Sequence, residues 1–332
     1  MKAFIYTGKE FKLIEKETPK PDEKDILVNI KAVSVNPIDT KVRASLEGTD
    51  SAKILGWDAS GVVEDIGENV KNFKVGDEVF YAGDITRDGS YASHQLVDER
   101  IVGKKPTSLS FEESAAMPLT SIAAWEALFD RLNISPEKDK GKSILIIGGA
   151  GGVGSIAIQL AKKVAGLKVI ATASRDKSKN WCRSLGSDGV LDHRKDLKEE
   201  MDLLKIDNFN YILCLNNTDH YFNIMAEIIV PQGKICSLVS TVKEHDLDIL
   251  KKKSVSFSWE FMFTRSMFNT DDIIEQSRIL NKISELLNEG TIRSTIATNL
   301  DIRSIENLLK AHILLENGRN VGKIIFNLEH PK

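Results

Sequence analysis

The run Ile144-Leu-Ile-Ile-Gly-Gly-Ala-Gly-Gly-Val-Gly-Ser-Ile-Ala-Ile-Gln-Leu-Ala-Lys162 spaces Gly149, Gly151 and Gly154 as G-x-G-x-x-G between two apolar stretches. Ile144 to Ile147 suit a parallel strand covered on both faces, and Ile156, Ile158, Leu160 and Ala161 continue as a helix. In such a turn the first glycine permits the reversal, the second admits a pyrophosphate against bare backbone, and the third lets the helix pack on the strand. Ala150, Gly152 and Val153 fill the positions between, and the N–H groups at the helix start face the phosphates. A glycine-rich turn without a ligand is the plainer reading. The apolar strand Val169-Ile-Ala-Thr-Ala173 weighs against it, because it completes a strand–helix–strand unit of the length a dinucleotide site needs.

The tip of that second strand selects the dinucleotide. An Asp or Glu there would grip the ribose 2′-hydroxyl of NAD. The sequence reads Ser174-Arg175-Asp176-Lys177-Ser178-Lys179 instead. A hydroxyl donor, a guanidinium and two ammonium groups suit a 2′-phosphate, because charge-assisted hydrogen bonds from Arg are strong and can be bidentate. NADP is therefore expected over NAD. A solvated charged turn is the alternative, and Asp176 could turn to the ribose and restore some NAD affinity.

Around this site stand 332 residues with a net charge of −3, enough for two domains. No basic field indicates nucleic acid. Cys182, Cys214 and Cys236 are scattered without C-x-x-C spacing and read as reduced, buried thiols. The N-terminus reaches charge too early for a signal peptide, and no apolar stretch approaches the length of a membrane span, so a cytoplasmic protein is expected. Before residue 125 the pattern is strands and turns: 25–33 alternates, 59–66 is short and apolar, and Gly76-Asp77 turns into 78–81. A helical pattern begins near Ser121. Strands at 144–147, 168–173, 189–191, 211–215 and 234–239 then alternate with helices, which implies a parallel α/β sheet. Helical segments near 272–289 and 303–316 and a strand at 322–327 follow. A β-rich domain interrupted by a nucleotide fold would put the cofactor at a cleft between the two.

Several segments together make the chain resemble the medium-chain dehydrogenase/reductases, in particular the quinone oxidoreductase-like branch often labelled zinc-type alcohol dehydrogenase-like. They are Ala32-Val-Ser-Val-Asn-Pro-Ile-Asp-Thr-Lys41, Gly56-Trp-Asp-Ala-Ser-Gly-Val-Val63, Phe73-Lys-Val-Gly-Asp-Glu-Val-Phe80, Ala115 to Leu128, the glycine loop, and Gly318-Arg-Asn-Val-Gly-Lys-Ile-Ile-Phe326. The resemblance implies an α/β architecture: a Rossmann doubly wound parallel sheet (123–265) inserted into a β-rich GroES-like catalytic domain (1–122 and 266–332). It also implies NADPH-dependent reduction of quinones or α,β-unsaturated carbonyls by a homodimer. Matched to the family motif, Asn36 falls near the substrate, Asp39 or Lys41 near the cofactor, and Thr120 against the nicotinamide. His193 falls where relatives carry a Tyr beside the adenine phosphate. Each has a plainer role: a turn former at Asn36, helix caps at Asp39 and Thr120, a solvated Lys41 and a loop histidine at His193.

Alcohol dehydrogenases of this superfamily hold a catalytic zinc with a Cys, the His of a Gly-His-Glu motif, and a further Cys or acidic residue. This chain carries Val35-Asn36-Pro37 and Gly56-Trp57-Asp58 at the first two places, and its only histidine before residue 121 is His94. No metal ligand set is expected, since zinc needs thiolate or imidazole for a tight tetrahedral site. His94 reads as an edge histidine. Tyr81 is the nearest aromatic hydroxyl that could face the substrate, with a core tyrosine the plainer reading. The aromatic run 256–268, with Trp259, Phe261, Phe263 and Met267, suits a flat hydrophobic acceptor or a dimer interface. A zinc alcohol dehydrogenase, or a low-turnover NADPH-binding sensor, remains the alternative.

Overall fold

A computed structural model describes residues 1–301, 304–318 and 320–327. Arg319 of the last family segment and residue 303, at the start of an expected helix, lie outside them. Two compact units emerge, one of residues 1–122 and 263–332 and the other of 123–262.

The first unit opens with β1 (Lys2–Tyr6), β2 (Phe11–Glu15), β3 (Asp25–Val35), α1 (Pro37–Leu46), β4 (Lys53–Ile54) and β5 (Ala59–Ile66). It continues with β6 (Glu78–Tyr81), β7 (His94–Asp98), β8 (Val102–Lys104), α2 (Phe111–Ala115) and α3 (Pro118–Trp125), whose last three residues belong to the second unit. The second unit follows with β9 (Ser143–Ile147), α4 (Gly152–Gln159), β10 (Lys168–Thr172), α5 (Asp176–Ser184), β11 (Gly189–Leu191), α6 (Leu197–Leu203) and β12 (Phe209–Cys214). It closes with α7 (Thr218–Ile228), β13 (Ile229–Ser237), α8 (Asp248–Lys251) and β14 (Ser256–Trp259). The chain then returns to the first unit through α9 (Thr264–Met267), α10 (Glu275–Asn288), β15 (Ile296–Asp301), α11 (Ile305–Glu316) and β16 (Lys323–Asn327).

In the first unit a seven-stranded sheet runs β15-β16-β3-β5-β6-β8, with β7 also on β3. β16 pairs antiparallel with β3, setting Ile324 against Val35 and Ile325 against Ser34. This pairing brings the returning end of the chain beside the Asn36 turn, 287 residues away. Pro37 ends β3 and starts α1, because it lacks an N–H for the ladder and its φ suits the first helical position.

The second unit is a six-stranded parallel sheet in the order β11-β10-β9-β12-β13-β14. Chain order thus reverses between β9 and β12, the switch point at whose carboxyl end doubly wound sheets bind ligands. Ile144 to Ile147 are at most 1% exposed, as expected of a strand covered on both faces. β10, β12, α6 and α7 close a core of Leu145, Ile170, Phe209, Ile212, Phe222 and Met225 on one side of it. The strand expected at 234–239 begins earlier, at Ile229. Its register with β12 shifts between Phe209, which faces Ile229, and Tyr211, which faces Lys234, so residues 230–233 bulge out of the ladder.

Candidate functional site

The glycine turn lies at the carboxyl end of β9, and two bonds to β10 set its shape. Gly148 N–H donates to Thr172 Oγ1 (2.9 Å) and Gly149 N–H to the Thr172 carbonyl (3.2 Å). The left-handed position is Gly148 (φ +86°), one residue before the glycine expected to make the reversal. Gly149 is needed for proximity instead, since a Cβ there would lie 2.7 Å from Ala171 Cβ. A Cβ on Gly154 would sit 2.6 Å from the Gly148 carbonyl oxygen, so helix and turn can touch only without it. Gly151 differs. Its Cβ would meet only that same oxygen at an ordinary 3.5 Å. Protein packing does not require glycine at this N-cap of α4, and its bare backbone leaves room for a phosphate at the helix start. These residues fit a dinucleotide pyrophosphate.

Beyond β10, Ser174 is half-buried, and Arg175, Asp176 and Lys177 are exposed. Arg175 is the N-cap of α5 and Asp176 lies in its first turn, where a negative charge is favoured by the helix dipole. The sequence reading missed Arg194, which follows β11. Its guanidinium donates to the Ser174 carbonyl (2.8 Å) and to both oxygens of buried Asp192 (3.0 and 2.7 Å). Lys179 reaches the same carboxylate at 2.9 Å. Hydrogen bonds from Arg194 hold Asp192 well below the usual carboxylate range. Half-buried His193 is pushed toward the neutral form by burial. Asp192 thereby gathers Lys179 and Arg194 at the strand tips beside Arg175.

At the other end of this sheet, Glu260 follows β14 and accepts from Arg131 Nε at 2.9 Å. Burial, together with Glu126 beside it, raises its carboxyl well above the ordinary range, so this pair holds a proton at neutral pH. Glu126 lies in the Ala115–Leu128 segment that carries the resemblance and Glu260 in the aromatic run, and neither was singled out in the sequence.

In the first unit, Asn36 is 1% exposed, Asp39 0% and Thr120 2%, whereas Lys41 is exposed. Asp39 caps α1, accepting from Asn36 N–H at 2.9 Å, and its Oδ2 also accepts from the Tyr91 hydroxyl at 2.8 Å. Tyr91 in turn lies 3.2 Å from His312 Nε2. Burial raises the Asp39 carboxyl to about 7 and lowers His312 to about 3. Thr120 Oγ1 donates back to the Met117 carbonyl at 3.2 Å. Asp58 is fully buried. Its Oδ2 accepts from Ser34 Oγ (2.7 Å), Asn36 Nδ2 (2.7 Å) and Lys323 Nζ (2.9 Å), and its Oδ1 accepts from Leu119 N–H (2.8 Å). Lys323 Nζ also donates to the Val35 carbonyl (3.1 Å) and to Asn36 Oδ1.

The donor set does not fit a catalytic zinc. Trp57 offers no metal ligand; it donates Nε1 to the Asp84 carbonyl and packs edge-on to Phe263. An ammonium already sits on the Asp58 carboxylate. His94 accounts for itself elsewhere, as an edge residue of β7 with Nε2 2.7 Å from Glu64. Tyr81 is a core tyrosine, with its hydroxyl buried and burial raising its pKa. Of the aromatic run, Phe263 is buried, while Trp259, Phe261 and Met267 are 48, 43 and 38% exposed.

Comparison with known proteins agrees with this architecture. Residues 22–117 match the alcohol dehydrogenase GroES-like domain, and residues 185–326 match the zinc-binding dehydrogenase model. A zinc-type alcohol dehydrogenase-like protein of Staphylococcus aureus (strain MRSA252) is 46% identical over 97% of this chain and 96% of its own. The 2-methylene-furan-3-one reductase of Solanum lycopersicum is 32% identical over all of this chain and 79% of its own. A crystal structure of a Rhizobium etli protein named for the zinc-dependent alcohol dehydrogenases superposes with a TM-score of 0.92 at 45% identity, covering 98% of both chains. The chain belongs to the medium-chain dehydrogenase/reductase superfamily, in its quinone oxidoreductase-like branch, and is an oxidoreductase built on a nicotinamide-nucleotide fold.

Proposed function

We propose that the protein transfers hydride from NADPH to a quinone or an α,β-unsaturated carbonyl without a metal. The observation that carries this reading is the Lys323 ammonium on Asp58 and Asn36, residues of the two segments that the resemblance matches to the zinc-ligand motifs. Reduction of a simple aldehyde or ketone places charge on an alkoxide and needs a strong electrophile at the oxygen. Hydride delivery to the β-carbon of an enone instead spreads the charge into an enolate, and a proton from water completes the saturated ketone. Hydrogen-bond donors and orientation are sufficient for that chemistry.

When bound, NADPH supplies the hydride. Gly151 and the α4 N-terminus would receive the pyrophosphate, and Ser174, Arg175, Lys179 and Arg194 the 2′-phosphate. The tomato relative's name, a reductase of a methylene-furanone, supports a conjugated acceptor. β14 is the last strand of its sheet, with Trp259 half-exposed on it. An open edge of this kind supports a homodimer built by pairing with a second copy, and light scattering would check it.

The test is NADPH and NADH oxidation by chelator-treated protein against a quinone, an enone and an aldehyde, with and without zinc. Turnover of the quinone or enone with NADPH and no metal is expected. Turnover of the aldehyde alone, dependent on added zinc, would replace this reading with an alcohol dehydrogenase. Tight NADPH binding without any turnover would leave a nucleotide sensor.

A further inference from the structure

Asp58 was recognised in the sequence only as the residue that replaces a motif glutamate, and Lys323 only as part of a terminal segment. In the structure they are the node of a buried polar network that joins Ser34, Val35, Asn36 and Leu119. All three ammonium protons of Lys323 are placed, on the Val35 carbonyl, Asn36 Oδ1 and Asp58 Oδ2. Asp58 Oδ1 accepts from Leu119 N–H, the second residue of α3. An α-helix leaves its first N–H groups without intrahelical partners. Met117, which precedes α3, has no side-chain oxygen to cap it, so the carboxylate of Asp58, from the turn before β5, does so. A negative charge there is also aligned with the helix dipole.

Asn36 is held from both sides. Its oxygen is turned toward the ammonium and one amide N–H toward the carboxylate, so the amide cannot flip without setting donor against donor. Among the described residues the second N–H of Asn36 takes no partner, and the ion pair fixes where it points. We infer that Asp58 and Lys323 are positioning residues for the reaction proposed above, a buried ion pair that orients the Asn36 amide and anchors the start of the helix bearing Thr120. The inference rests on that reading. Neither residue touches substrate or cofactor in it; both act through Asn36 and α3.

Two variants separate positioning from simple structural support. Lys323→Met leaves a buried carboxylate without its cation and is expected to melt lower. The double variant Asp58→Asn with Lys323→Met is neutral and can satisfy its hydrogen bonds again. The new amide oxygen caps Leu119, and its NH2 donates to Ser34 Oγ and to the oxygen of a flipped Asn36. It is expected to melt close to wild type and to bind NADPH with unchanged Kd, because the dinucleotide cradle belongs to the other unit. Its kcat for the enone should fall at least about tenfold, with KM changed less than about threefold. A double variant with wild-type kcat overturns the inference while leaving the reductase reading intact. A wild type that reduces neither enone nor quinone ends that reading, and the inference with it. If the double variant does not fold, NMR of the wild type decides. A Lys323 ammonium resonance protected from exchange and coupled to the Asp58 carboxylate carbon is expected, and a freely exchanging ammonium overturns the inference.

Discussion

The Asp39–Tyr91–His312 chain makes a quantitative prediction about stability, because burial moves its two ends in opposite directions. Folded Asp39 titrates at about 7 rather than 3.8, so the folded state keeps a proton that the unfolded state has released. Its contribution is fully present below the unfolded value and is lost as pH rises toward 7. Folded His312 titrates at about 3 rather than 6.5, and the unfolded state takes up a proton that the folded state refuses. Its contribution is present above 6.5 and is lost as pH falls toward 3. Between about pH 4 and 6.5 each group contributes a slope of about 1.4 kcal/mol per pH unit, with opposite signs, and the wild-type slopes cancel. Asp39→Asn preserves an oxygen for Asn36 N–H and the Tyr91 hydroxyl and removes only the titration. It should gain about 3 kcal/mol of stability from pH 4 to 6.5 relative to wild type, while His312→Gln should lose a similar amount. Asp58, Lys323 and Arg43, the charges that also act on these two groups, are present in all three proteins, so differences in slope isolate the two residues. Urea unfolding followed by Trp57 fluorescence, with the other three tryptophans replaced by Phe, reports on the first unit. An Asp39→Asn profile parallel to wild type across this range would refute the reasoning.

In the dinucleotide cradle, Gly154→Ala should destabilise the second unit by about 1–3 kcal/mol, because the new methyl meets backbone that cannot retreat. Gly151→Ala should fold normally and lose NADPH binding; calorimetry and melting of the two variants would separate the effects. Arg175→Ala should weaken NADPH by about tenfold or more with NADH unchanged, since one charge-assisted hydrogen bond is worth about 1.5–3 kcal/mol, and fluorescence titration would show it. The Glu126–Glu260 pair keeps a proton when folded, so its contribution to stability is lost as pH rises through the raised carboxyl pKa. Glu260→Gln should therefore flatten the decline in melting temperature above neutral pH.

The dinucleotide fold was legible because its signals are local. Four consecutive buried aliphatic residues, a glycine spacing and the next strand lie within about thirty residues, and each has one structural meaning. The misassigned glycine is instructive. Spacing identified the motif, but the choice of Gly148 over Gly149 for the positive φ depends on how the turn hangs from Thr172, a contact to the next strand. Arg194 escaped notice for a related reason: the strand order that sets β11 beside β10 brings it to Ser174 across 20 residues of chain.

The first unit shows the limit more sharply. Asn36, Asp39 and Thr120 were identifiable as members of a motif, but what each does there depends on Asp58, Tyr91, His312 and Lys323, supplied from as far as 287 residues away through the β3–β16 pairing. No periodicity announces such partners. A buried lysine near a chain end reads, in sequence, like any solvated one. What distinguishes it is that three acceptors converge on a single point at the ends of β3, β5 and β16, and that two of them, Asn36 and Asp58, stand in the segments that the resemblance matches to zinc-ligand positions. A side-chain cation fixed to the backbone cannot act as an open-site Lewis acid, because all its donors are spent on protein. It can organise the groups around it at no cost in metal supply. The residues at these positions are therefore the ground for proposing acceptors whose own conjugation stabilises the charge that hydride transfer creates.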